Sequence, residues 1–363
     1  MLNFAVGPVM MSPEIRRIGA EEIPYFRTPE FSRLMKENEE MMCRLMQAPE
    51  GSRAVFLTGS GTAAMEAAVM NMFTKEDRVL VVNGGSFGAR FAKLCRIHHI
   101  PYEELCPERG TPVTREDLDH AAGSGFTGLL INIDETSTGV LYDMKMVGDF
   151  CREHGICLVA DAVSSFLTDE FRMEEWGADL ALTGSQKALA LPPGLSILTL
   201  SPAGVRRVMS HEVESLYFDL KDYLINGERG QTPYTPAVSV LLQLHERLSE
   251  ILSRGLSAEL ARAKAQAEDF RERIKDLPLE IVSSSLSNAV TPLHPTGHYA
   301  DGSPVSARKV FEVLKDEYDI FVCPNGGELE HLVFRVGHIG NLKPADNETL
   351  VRAFRDLVRR GLL

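Results

Sequence analysis

Short, wholly apolar runs recur along the first two hundred residues, and helix-length stretches separate them. The runs are AVFLT (54–58), VLVV (79–82), GLLINI (128–133), ICLVA (156–160), LALT (180–183) and LSILTL (195–200). None alternates apolar with polar, so each expects burial on both faces. That is the signature of strands in a mainly parallel sheet with helices on either side. Helices are predicted to start near Thr62, Phe87, Thr114 and Met144, and another over about 28–47, where Phe31, Leu34, Met35, Met41 and Met42 recur near helical spacing. The predicted class is α/β.

In such a sheet, ligands bind beyond the carboxyl ends of the strands. Two ends carry chemistry. ICLVA runs into Asp161 (ADAVSS), and LALT runs into GSQKAL with Lys187. A single lysine after a strand is commonly a solvated side chain, and a single aspartate commonly a turn or helix cap. Facing one crevice, the pair meets the needs of pyridoxal 5'-phosphate: an amine to form a Schiff base, and an acid to keep the pyridine nitrogen protonated. A third end, FLTGSGTAAMEAAV (56–69), passes through a glycine turn into a helix. Unpaired N–H groups and the helix dipole favour an anion there. Gly59 and Gly61 allow close backbone approach, and Ser60 and Thr62 add hydroxyls. No lysine follows the last glycine, so this is not a nucleotide P-loop, and Ala64 breaks the dinucleotide fingerprint.

In order, FAVGP (4–8), RTPEF (27–31), TGSGT, NGGSFGARF (83–91), DETSTGVL (134–141), DAVSS, GSQKAL and FRVGHIG (334–340) resemble the class V aminotransferases of the fold-type I pyridoxal-phosphate enzymes. The resemblance is to the alanine–glyoxylate and 2-aminoethylphosphonate–pyruvate group, and it covers nearly the whole chain. It implies Lys187 as the Schiff-base lysine and proton shuttle, and Asp161 at the ring nitrogen. It further implies Phe87 and Val163 on the two ring faces, Thr136 at the ring oxygen, and Ser60, Gly61 and Thr62 at the phosphate. Gln186 stands where the related cysteine desulfurases carry His, which favours transamination. Arg335 would hold the substrate carboxylate and Gly7 would line the substrate mouth. Thr235 would reach the phosphate of a second subunit in a homodimer. The chain departs from the pattern at Phe26, where many relatives have His before Arg27, and at Thr232, where the alanine–glyoxylate branch has Tyr. No role is assigned to Arg27, His338 or Cys323.

A long charged helix over about 257–275 leads into a different rhythm: LEIVS, a Gly/Pro/Ser loop over 291–305, a helix over 306–317, IFVCP, HLVFRVG and a closing helix over 346–360. The resulting expectation is a large cofactor-binding domain over 16–255, a small α+β domain over 256–363, and a segment 1–15 that joins the small one.

The net charge of −13, from 51 acidic and 38 basic residues, argues against nucleic acid as a partner, because phosphate backbones need a basic face. No apolar stretch is long enough to span a membrane, and no secretory signal is evident. The six cysteines are scattered, with no CxxC pair, which fits free thiols in a reducing cytoplasm. The expectation is a transaminase with an alanine-, serine- or aspartate-type donor and a small 2-oxo acid such as glyoxylate or pyruvate as acceptor. Two alternatives stay open: a 2-aminoethylphosphonate–pyruvate enzyme, and a lyase or cysteine desulfurase on the same fold.

Overall fold

The computed structural model describes all 363 residues. Its main sheet has seven strands in the order Arg53–Gly59, Gly194–Leu200, Leu180–Gly184, Cys157–Asp161, Gly128–Asn132, Val79–Val82 and Tyr102–Leu105. Only Gly194–Leu200 runs against its neighbours; the other pairings are parallel. The apolar runs become strands because both faces are covered. Leu80, Val82, Leu129, Ile131, Leu158 and Ala160 enter one core. Their alternates Val79, Val81, Leu130, Cys157 and Val159 enter the other. Strand side chains alternate between faces, so a residue-by-residue apolar run is what two covered faces require.

Local signals set the helices. Thr28 caps Pro29–Leu45 by accepting from the Phe31 amide, and Asp143 caps Met144–His154, which ends at Gly155. The chain order leaves the carboxyl ends of Arg53–Gly59, Gly128–Asn132, Cys157–Asp161 and Leu180–Gly184 on one edge of the sheet. The helix Gly61–Met72 starts at that edge.

A second sheet has the order Leu2–Phe4, Ile320–Pro324, Phe334–Gly337, Val290–Pro295 and Leu279–Ile281. Helices Leu256–Arg273, Ala307–Tyr318 and Pro344–Arg359 cover it around a core that includes Phe270, Phe311, Phe334 and Phe354. The expected loop over 291–305 is corrected here, because its first part is a strand that contains Pro292 and Pro295. Proline keeps its carbonyl, and Pro292 accepts from the Val282 amide at 3.3 Å, so the ladder tolerates it. The edge strand Tyr102–Leu105 was also absent from the apolar pattern. It is largely solvent-facing, so its Glu103 and Glu104 hide it. No helix is long and apolar enough to cross a membrane.

The first residues tie this second sheet to the carboxyl edge of the main one. Leu2–Phe4 pairs in parallel with Ile320–Val322, and the chain then passes directly over Gly337. A Cβ on Gly337 would lie 2.6 Å from the Ala5 carbonyl oxygen and 2.9 Å from that of Phe4. Gly337→Ala is therefore expected to destabilise the chain by about 1–3 kcal/mol, as overpacking does. It should also loosen residues 5–8. Urea denaturation and limited proteolysis of the N-terminal segment measure the two effects; an unchanged midpoint and cleavage rate would contradict this packing.

Candidate active site

Lys187 and Asp161 meet at the carboxyl edge. Strand Leu180–Gly184 delivers Gln186 and Lys187 on the turn that follows it, and the neighbouring strand ends at Asp161. Both side chains are buried, at 8% and 5% relative exposure. Burial is the chief force on each. It lowers the Lys187 amine to about 8, with the nearby Arg335 charge acting the same way. It raises Asp161 to about 6, against the opposing hydrogen bonds from the Val163 amide and Asn132. Those two bonds, 2.8 Å to Oδ1 and 2.6 Å to Oδ2, fix the carboxylate plane. Asn132 can make its bond because the parallel register sets it opposite Asp161.

Around this pair lies a cavity of about 230 Å³. Gly7, Ser60, Gly61, Thr62, Phe87, Thr136, Val163 and Gln186 line it together with Asp161 and Lys187. The Ser60 side chain leaves the start of helix Gly61–Met72 uncapped; the Ala63 and Ala64 amides donate to the Ser60 carbonyl, which leaves those of Gly61 and Thr62 for an anion. A Cβ on Gly61 would sit 3.1 Å from Val163, narrowing the cavity. Thr136 Oγ1 and Ser164 Oγ are 2.6 Å apart. Gln186 Oε1 is buried without a partner. Gly7 has φ of +136°, and a Cβ there would lie 2.8 Å from Lys187 Cδ; only glycine suits both the angle and the contact.

Arg335 lies next door, in a cavity of about 700 Å³ that also has Phe87 in its wall. It is 9% exposed. Its Nη1 donates to the Thr136 carbonyl at 3.2 Å, and its Nη2 to the Pro324 carbonyl at 2.9 Å and to Cys323 Sγ at 3.2 Å. Its Nε has no partner, and no carboxylate pairs with it. A buried guanidinium without a counter-charge is a standing demand for an anion.

Thr235 is exposed and outside both cavities. Arg27 is also exposed, bonded to Gln231 and the Pro233 carbonyl. His338 is turned away into the second core, bonded to Thr291 at 2.7 Å and packed on Phe270.

The sequence reading missed six lining residues: the apolar Pro8 and Met65 and the polar Arg90, Asn132, Asp134 and Ser164. Arg90 sets its guanidinium over the Phe87 ring and donates to Thr62 Oγ1 at 3.0 Å, adding positive charge beside the helix start. Its signal was one turn of helix after Phe87. Asn132 could have been found as a polar end to an apolar strand. Asp134 has both carboxylate oxygens buried and unpartnered. Burial, with Asp169 nearby, raises it well above the usual range.

The set suits an organic phosphate with a basic ring nitrogen and an amine-reactive group. Residues 25–288 match the family model for aminotransferase class-V. The chain belongs to the class-V aminotransferases. An L-aspartate–glyoxylate aminotransferase of Paracoccus denitrificans is 29% identical over 354 residues, covering 94% of this chain and 87% of the relative. A Synechococcus protein named soluble hydrogenase, small subunit, is 30% identical over 321 residues, covering 86% and 81%. An aspartate aminotransferase structure from Thermus thermophilus superposes with a TM-score of 0.90 at 28% identity, over 100% of both chains. The class-V fold is thus the one observed here: a mainly parallel sheet between helices, with a second α/β sheet.

Desolvated Asp161 makes this aminotransferase less stable without a ligand. Its folded value of about 6 exceeds the reference 3.8, so the unfolded chain gives up this proton first as pH rises. Stability then falls between those two values and stays low above them. The penalty near pH 7 is on the order of 3 kcal/mol. Asp161→Asn removes the charge, and Asn132 can flip its partnerless Oδ1 to accept from the new amide. Cofactor-free Asp161→Asn should resist urea better than the parent chain, by more at pH 7.5 than at pH 5. An equal or lower midpoint at pH 7.5 would refute the assignment of Asp161 as a strained charge.

Proposed function

We propose that this enzyme is a pyridoxal-phosphate aminotransferase acting on α-amino acids of the alanine, serine or aspartate type, with glyoxylate or pyruvate as acceptor. The observation that carries the reading is the buried, unpaired Arg335 beside the buried amine of Lys187. One group suits a carboxylate and the other an aldehyde. The residues fit the cofactor. The uncapped helix start with Ser60, Gly61, Thr62 and Arg90 would hold its phosphate, Asp161 its ring nitrogen, Thr136 its ring oxygen, and Phe87 and Val163 its faces. The partnerless Gln186 Oε1 lies in the same cavity and is free to bond a ligand donor. When bound, the cofactor supplies an aldehyde that takes up amines and a ring that accepts electrons from the substrate Cα.

The chain's own groups supply the rest. The Lys187 amine, lowered to about 8, gives up its proton far more readily than a solvated lysine. The free amine can then take the proton from the substrate Cα and deliver it elsewhere. Asp161 keeps a negative charge beside the ring nitrogen, and its two hydrogen bonds hold it there. Arg335 orients the donor through its charge and its unpartnered Nε–H. The Arg335 contacts to Thr136 and Pro324 fix the guanidinium before substrate arrives.

A half-reaction screen tests this. The loaded enzyme is mixed with single amino acids and with 2-aminoethylphosphonate, and its visible absorbance is followed. Alanine, serine or aspartate should bleach it. Borohydride reduction should attach the cofactor to Lys187, and Lys187→Ala should neither be labelled nor turn over. Arg335→Ala should lower kcat/KM for amino acids about ten- to hundredfold while the cofactor spectrum stays unchanged. Bleaching by 2-aminoethylphosphonate alone would move the substrate to a phosphonate. Label on another lysine would sink the Lys187 assignment.

The homodimer reading is supported by an exposed apolar patch near Thr235. Ile23, Tyr25, Leu216 and Tyr217 are exposed at 61%, 67%, 77% and 37%. Arg27 ties the first pair to residues 231–233, and Tyr217 stacks on Tyr234 at 5.4 Å. We place the partner subunit on this patch, with Thr235 reaching its phosphate site. Leu216→Asp should weaken the dimer in sedimentation and reduce cofactor affinity in the same titration. A monomer that keeps full cofactor affinity would overturn it.

A further inference from the structure

We propose that Cys323 is a peroxide-reactive thiol whose oxidation fills the anion site at Arg335 and reversibly shuts out the substrate. The consequence for substrate rests on the reading of Arg335 given above; the reactivity of the thiol does not.

The second sheet creates the juxtaposition. Ile320–Pro324 pairs antiparallel with Phe334–Gly337, and the register sets Cys323 directly opposite Arg335. The sulfur lies 3.2 Å from Nη2. Arg335 is nine-tenths buried, its Nε has no hydrogen-bond partner, and no carboxylate neutralises it. The site is therefore built to receive negative charge, and Cys323 stands against it. A partly exposed sulfur in contact with a fixed cation is the setting in which cysteines react.

Access is also provided. Cys323 is half-buried and lines an open cavity of about 940 Å³ that Gly7 and Pro8 also border, a different cavity from the one that Arg335 lines, so the Cys323–Arg335 contact bridges the two. The other thiols lack this setting. Burial pushes Cys43, Cys95 and Cys151 up to about 12 and Cys157 higher. Cys106 is exposed but raised by partial desolvation and by Glu104. No second cysteine lines the cavity, so the product remains a sulfenate instead of closing a disulfide.

The step balances. The thiolate sulfur attacks one oxygen of a hydroperoxide; an S–O bond forms and the O–O bond breaks. Sulfur loses two electrons, the peroxide gains them, and the departing oxide takes a proton to leave as water or an alcohol. The sulfur already touches the guanidinium at 3.2 Å, so a sulfenate oxygen turned toward it would take up the positive charge that a substrate carboxylate needs. A dithiol reverses the change through a mixed disulfide.

The test treats the loaded enzyme with limiting hydrogen peroxide in the presence of dimedone and maps the adducts by mass spectrometry. Cys323 should be labelled before the other five cysteines, and more slowly in Arg335→Gln, where the cation is gone. Peroxide without dimedone should lower the amino-acid half-reaction at least about tenfold. The cofactor spectrum should hold and dithiothreitol should restore the rate. A saturating oxo acid should protect. Cys323→Ala and Cys323→Ser, each compared with its own untreated rate, should lose little. First labelling of another cysteine, or equal peroxide loss in both variants and the parent chain, overturns the proposal. Because labelling is read by mass, it stands or falls separately from the substrate assignment of Arg335.

Discussion

Removal of water from Lys187 is the constraint on which the rest of the site depends. An ammonium in a dry cavity is held at about 8, within reach of the neutral amine that aldehyde chemistry needs. Burial alone would not place it usefully. The lysine follows a strand whose two faces are both covered, so the turn that carries it has little room to move. Acids at the ends of the neighbouring strands temper the loss of solvation, and the Arg335 charge opposes them. The same apolar packing that makes the sheet thus tunes the amine.

Completing the site requires the second sheet. Arg335 comes from one of its strands and reaches across to the Thr136 carbonyl. Asn325 does the same toward the Ser137 carbonyl at 3.4 Å, and Asn288 brackets Asp169 with amide and side chain at 3.0 and 2.9 Å. The N-terminal residues belong to that sheet too, yet they deliver Gly7 against Lys187. Any shift of the second sheet would move the anion site, the cavity rim and the lysine's packing together.

Five of the eleven buried polar atoms without partners belong to Asn132, Asp134, Gln186 and Arg335, all lining the two cavities. Unsatisfied buried groups are costly, and their concentration here marks where a ligand offsets the loss. The stability given up at Asp161 and Asp134 is the other side of a site prepared for charge.

The main sheet was legible in the sequence because strands buried on both faces must be apolar at every position, and those runs stand out. Lys187, Asp161 and the Gly61 helix start were legible because each directly follows such a run. Residues set by register or by long-range packing were not. Asn132 matters because a parallel neighbour brings Asp161 beside it, and Arg90 because its helix leans on Thr62. The strand Val290–Pro295 was hidden by prolines that its carbonyl bonding tolerates. Arg335 was recognisable as an arginine in an apolar strand, but that it has no counter-ion, and that Cys323 faces it, only the folded chain decides. Local sequence sets which segments can be strand or helix. Pairing register and burial, which depend on residues hundreds of positions apart, set which charges meet and how far each is stripped of water.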